Sequence, residues 1–104
     1  MSTTSVYDAI AHPARRQVMD VLRAGPCRVN DLAGSFAMSR PAVSQHLRVL
    51  RDAGLVGEVR VGRERHYHLN AAPLREVSVW TELYQGFWEG RLDALGTVLD
   101  GEHR

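Results

Sequence analysis

Apolar positions recur at helical spacing through the first half of the chain, switch to alternation, and return to helical spacing. Ser5–Ala11 reads as a short opening helix. His12-Pro13 starts a second, with proline in the first helical position, where its missing N–H costs nothing. Ala14, Val18, Val21 and Leu22 follow the i, i+4, i+7, i+8 rhythm of one helix face, and Gly25-Pro26 stops it. Val29, Leu32, Ala33 and Phe36 mark a third, short amphipathic helix. Ser39 is an apt N-cap for a fourth, with Pro41 in its first turn. That helix carries Val43, Leu47 and Leu50 on one side and ends at Gly54, a natural left-handed cap. Leu55–Val61 and Arg65–Leu69 are β-prone runs separated by Gly62-Arg63, the pattern of a hairpin. Tyr67 and Leu69 share one strand face, and His66 and His68 the other. Ala72-Pro73 then opens a last helix running to about Leu99. At ~1.5 Å per residue it spans about 40 Å, more than a small domain needs for its own core.

The chain's 104 residues suit a single domain. An apolar share of 44% and a charged share of 24% argue against wholesale disorder. No run approaches the length of a membrane span, and Met1–Tyr7 lacks the basic start and apolar centre of a secretory leader. The single cysteine, Cys27, excludes an internal disulfide and fits a reducing compartment. A cytoplasmic protein with no membrane partner is expected. The net charge of +1 hides an asymmetry. His12–Asn70 holds ten arginines against five acids, whereas the remainder from Ala71 holds three against six. Every basic residue is arginine, whose fork suits phosphate and guanine. One face for a polyanion and another for a different partner is the reading this division supports.

Two short helices joined by a tight turn and followed by a hairpin make a winged helix-turn-helix, a mainly α fold with a small β-hairpin. The stretch SRPAVSQHLRVLRDAGLV, the wing VRVGRERHYHL and the upstream HPARRQVMDVL resemble the ArsR/SmtB family of bacterial winged-helix repressors. The tail motif WTELYQGFW is similar to the branch of that family that lacks the metal sites. The resemblance, over roughly Tyr7 to Leu69, implies a homodimer that binds double-stranded operator DNA and usually represses. It divides the one domain into a DNA-binding core over 12–70 and a dimerisation helix over 72–100.

With the Val43–Leu47–Leu50 stripe inward, Pro41, Ser44, Gln45, Arg48 and Asp52 fall on the outward arc, and Arg40 sits in the first turn. Arg40 suits guanine, Gln45 adenine, Ser44 a base or phosphate, and Arg48 phosphate. Arg60, Arg63 and Arg65 cluster about the hairpin turn as a minor-groove or phosphate probe. With Ser39 these make the expected DNA-contact set. The family's contact positions match Arg40, Pro41, Ser44 and Gln45. His46, at the edge of the arc, reads as a partly buried, hydrogen-bonded residue that orients the helix. Arg15 and Arg16 suit phosphate or an ordinary surface role equally.

The thiolate metal site known in the family expects two cysteines just before Asp31-Leu32-Ala33, where this chain has Arg28-Val29-Asn30. The other expects histidines and acids along the last helix, which has no histidine before His103. No metal or cofactor is therefore expected, although His66 with His68, or Cys27, would be the elements of a non-standard metal- or thiol-responsive site. Val77, Trp80, Tyr84, Phe87, Trp88, Leu92, Leu95 and Leu99 cover a wide apolar arc of the last helix. Val77, Trp80, Tyr84, Phe87, Trp88 and Leu95 are assigned to a dimer interface. The same arc also fits an apolar pocket for an unknown small-molecule effector, or the domain's own core. Gly86 and Gly90 permit close backbone approach or mark a bend. A rival of another class is a winged-helix module that binds protein through the aromatic helix. No nucleophile–base pair, phosphate loop or zinc-hydrolase pattern supports an enzyme.

Overall fold

The computed structural model describes residues 4–90. Its elements run α1 (Val6–Ile10), α2 (Pro13–Leu22), β1 (Cys27–Arg28), α3 (Val29–Ser35), α4 (Arg40–Asp52), β2 (Val56–Val61), β3 (Glu64–Leu69) and α5 (Leu74–Glu82). The three strands form an antiparallel sheet in the order β1-β3-β2. The chain divides into two compact units at Leu74/Arg75. No helix among the described residues is long and apolar enough to cross a membrane.

The first unit is built around α4, which packs on α2, α3 and β2. Val18, Leu32, Val43, Leu47, Leu50 and Leu55 are its largest fully buried side chains. Each such burial is worth roughly 1.5–3 kcal/mol of transfer free energy. Helix termini are set by local chemistry. Ser5 Oγ accepts from Asp8 N at 3.0 Å, and His12 Nδ1 accepts from Ala14 N at 3.1 Å. At the far end of α4, Gly54 takes φ +79°. Gly54 N donates to Arg51 O and Leu55 N to Leu50 O, both at 2.9 Å, the paired closure of a left-handed cap. Gly62, at φ +64°, takes the first place of the two-residue turn between Val61 and Glu64, where glycine suits the strand twist.

Three features depart from the sequence reading. Cys27 begins a strand that the apolar pattern did not mark, pairing with Tyr67, and its Sγ lies 3.6 Å from Gly25 O. Two residues are too few to show a period, so β1 left no pattern. Arg15, half-buried, and Arg16, exposed, both spend donors on backbone carbonyls of α1. Arg15 donates to Ala9 O at 2.7 Å and Asp8 O at 3.0 Å, and Arg16 to Ile10 O at 2.6 Å. They thereby satisfy the open carbonyls at the end of α1.

In the second unit, the unbroken last helix expected from 72 is interrupted. After α5 the chain makes a turn at Leu83–Tyr84 and becomes helical again over 85–90. Leu83 N bonds Trp80 O at 3.2 Å and Tyr84 N bonds Thr81 O at 2.9 Å, tightening the coil. Thr81 Oγ1 donates back to Ser78 O at 2.9 Å, competing with the helix ladder just before the break. Leu92, Leu95, Leu99 and His103, named in the sequence reading, lie outside the described residues.

Candidate nucleic-acid interface

The outward face of α4 begins at its cap. Ser39 Oγ accepts from Ala42 N at 3.2 Å, closing one of the helix's open donors. The hydroxyl expected to meet DNA is thus already the cap, with one of its two acceptor sites taken. Replacing Ser39 by alanine should lower stability by about 1 kcal/mol. A shift of the urea midpoint at constant slope reads this; an unmoved midpoint would show that the cap contributes nothing.

Beyond the cap, Arg40, Pro41, Ser44, Gln45 and Arg48 are all exposed, and Val43, Leu47 and Leu50 are buried, as the stripe requires. The hairpin lies alongside. Arg60 stands opposite Arg65 and Glu58 opposite Tyr67 in the β2–β3 register, so these four share a face. That face turns toward α4, since Tyr67 is buried and Glu58 pairs with Arg51 at 3.1 Å. The structure therefore brings helix and wing residues together. A cleft of about 380 Å³ is lined by Arg40 and Ser44 of α4, Arg63, Glu64, Arg65 and Tyr67 of the hairpin, and Arg28, Val29 and Asn30 at the start of α3. A second, of about 170 Å³, brings Ser44, Arg48, Arg51 and Arg65 together. Arg40, Arg63 and Arg65 have no ion-pair partner among the described residues.

Arg28 and Asn30, which sequence reasoning weighed only as substitutes for metal thiolates, are the additions. Arg28 donates to Asp31 at 3.1 and 3.4 Å and also to Glu64. These hydrogen bonds hold both the Asp31 and the Glu64 carboxyls below their ordinary range. His66 Nε2 meets the other Glu64 oxygen at 3.2 Å. His68 is not aimed at His66's partners: its ring lies over Gly57, and a Cβ there would come within 2.6 Å of Nε2. Among the described residues no group of three or more His, Cys, Asp or Glu side chains could hold a metal ion.

His46 is half-buried, but the hydrogen bond expected of it is missing: its Nδ1 is buried without a partner. Its ring instead packs, tilted, on His12 at 4.9 Å, joining α4 to the cap of α2. Burial, then the charges of His12 and Arg15, push its pKa below the ordinary 6.5. The folded state therefore disfavours the proton that the unfolded chain accepts. Its contribution to stability is present above that ordinary value and is lost as pH falls through the lowered one. Unfolding at about pH 7.5 and about pH 5.5 should show an acid loss that shrinks in His46→Leu. An identical loss in the variant would assign it to other groups.

In the second unit Trp80, Tyr84, Phe87 and Trp88 are exposed, Val77 is half-buried, and Leu83 and Val79 join the apolar surface. Trp80 and Tyr84 meet edge-on at 5.5 Å. Leu83, at 78% exposure, is the most open of these and was not singled out by the sequence pattern.

Known proteins agree with this architecture. The profile of the bacterial regulatory protein arsR family matches residues 12–58. The chain is 37% identical to the HTH-type transcriptional regulator Rv2034 of Mycobacterium tuberculosis, over 97% of this chain and 92% of that protein. It is 34% identical to the transcriptional repressor SdpR of Bacillus subtilis, over 73% and 84%. The solved structure of an ArsR-like transcriptional regulator from Rhodococcus sp. RHA1 superposes with a TM-score of 0.68 at 30% identity, covering 89% of this chain and 88% of that one. A winged helix-turn-helix with relatives of this kind over nearly its whole length belongs to the ArsR family of bacterial transcriptional regulators.

Proposed function

We propose that the protein is a homodimeric repressor that reads an inverted-repeat operator, with α4 entering the major groove and the β2–β3 wing gripping the adjacent backbone. The observation that carries this reading is the shared cleft, where Arg40, Arg63 and Arg65 converge with Ser44 and have no ion-pair partner among the described residues. Arg60 and Arg65, directly opposite in the hairpin, repel one another until an anion comes between them. Phosphate is the polyanion such an arrangement fits. Arg40 and Gln45 are the base readers; Ser39, Pro41 and Ser44 allow close approach and hydrogen bonding; Arg48, Arg60, Arg63 and Arg65 are the backbone clamp. Two-fold symmetry supplies a second α4 about one helical turn away. The exposed aromatic segment around Trp80–Trp88 is the surface through which two copies join.

Selection of duplexes from a random pool tests this directly. The expected product is one inverted repeat whose half-sites lie about 10 base pairs apart. Enrichment of no sequence would refute a reader. Chelator, zinc, nickel or arsenite should leave affinity for the selected duplex unchanged. A large, metal-specific loss that disappears in His66→Ala/His68→Ala would instead establish a sensing site on β3.

A further inference from the structure

Glu64 occupies an improbable place for a DNA-binding wing. It stands between Arg63 and Arg65 at the hairpin end, where a lone carboxylate repels phosphate. Yet its two oxygens are engaged, one by Arg28 and the other by His66. Arg28 is in turn held by Asp31 on the first turn of α3. A chain of side chains, Asp31–Arg28–Glu64–His66, thus runs from α3 to the wing.

The backbone shows why that link matters. Strand β1 pairs with β3 only at Cys27↔Tyr67 and Arg28↔His66, after which the chain turns into α3. Glu64 and Arg65 have β2 on one side and no strand on the other. The Arg28–Glu64 ion pair extends the attachment past the last backbone pairing, joining residues 36 positions apart. Arg63 and Arg65 flank the attached residue directly, and both line the cleft that holds Arg40 and Ser44.

We propose that Glu64 is a positioning residue for DNA binding: through Arg28 it fixes the end of the wing against α3, so that Arg63 and Arg65 are presented to the phosphate backbone. This rests on the DNA-reading assignment of the same cleft. A carboxylate here has two opposed effects, repulsion of DNA and orientation of two cations that attract it. Orientation dominates while Arg28 is present.

The two effects separate by sign. Affinity for the duplex selected by the wild-type protein is measured across a salt series for wild type, Glu64→Gln, Arg28→Gln and the double variant. Both partners are exposed, so the expected loss in Glu64→Gln is modest, about two- to five-fold, the scale of a surface ion pair. It comes with a shallower salt dependence, because fewer counterions are released when the wing cations are not held in place. In the Arg28→Gln background the same substitution should strengthen binding, since only repulsion remains to be removed. Opposite signs in the two backgrounds support the proposal; the same sign in both, or no change in either, overturns it. In the free protein, hydrogen exchange at the Val61–Arg65 amides should quicken in Glu64→Gln with global melting unchanged, and unaltered exchange there overturns it equally. If the wild type selects no duplex, the DNA reading fails, whereas the exchange measurement still decides whether the pair holds the wing.

Discussion

Leu83→Glu combined with Phe87→Glu yields a protein that sediments as a monomer and loses at least ~100-fold in affinity for its selected duplex. Six of the eight large exposed hydrophobic residues among those described fall between Val79 and Trp88, and Leu83 and Phe87 are the most open, at 78% and 69%. An apolar surface of this kind on a small protein marks a contact site. In the proposed dimer a second copy covers it and joins two DNA-reading units, so that the second half-site would be engaged within one complex rather than by a new collision. A glutamate at each position removes the apolar gain and leaves a charge that resists burial. The folded core should not suffer, because every buried apolar side chain described lies within Val6–Tyr67. Melting should therefore show a cooperative transition in the variant, independent of protein concentration. A variant that remains dimeric, or a monomer that binds the full duplex as tightly as wild type, would remove the aromatic segment from the functional account.

What the sequence makes legible is what short-range chemistry determines. The limits of α4 follow from a serine cap, an inward stripe at Val43, Leu47 and Leu50, and Gly54 in a left-handed cap. Gly62 marks the hairpin turn in the same local way. The helix break at Leu83–Tyr84 has no such marker: neither residue is glycine or proline, and the aromatic rhythm of Trp80, Tyr84, Phe87 and Trp88 runs straight across it. Its local traces are ambiguous: Thr81, whose hydroxyl bonds the Ser78 carbonyl, also occurs on continuous helices, and Gly86, read as close approach or a bend, lies two residues past the break. The site divides along the same line. Its exposed arc on α4 follows from periodicity, whereas the meeting of Arg40 with Arg63 and Arg65, and of Arg28 with Glu64, depends on how distant segments pack. Arg15 and Arg16 look like free cations until α1 is seen to end against them.

Arg40→Ala and Gln45→Ala should each cost roughly 1–3 kcal/mol per affected half-site and relax preference at defined base pairs, since both remove groups capable of bidentate contact with a base edge. In a symmetric dimer each substitution occurs twice, so the total approaches the whole margin between specific and non-specific binding. Arg63→Ala and Arg65→Ala act differently. They remove charge from the wing side of the cleft and should weaken all duplexes nearly equally, with a reduced salt slope. The decisive measurement is binding of wild type and these four variants to the selected duplex and a scrambled one at several salt concentrations. The account predicts that the α4 variants lose the difference between the two duplexes while the wing variants keep it and lose salt dependence. Wing variants that lose sequence preference, with Arg40→Ala and Gln45→Ala losing only uniform affinity, would contradict it.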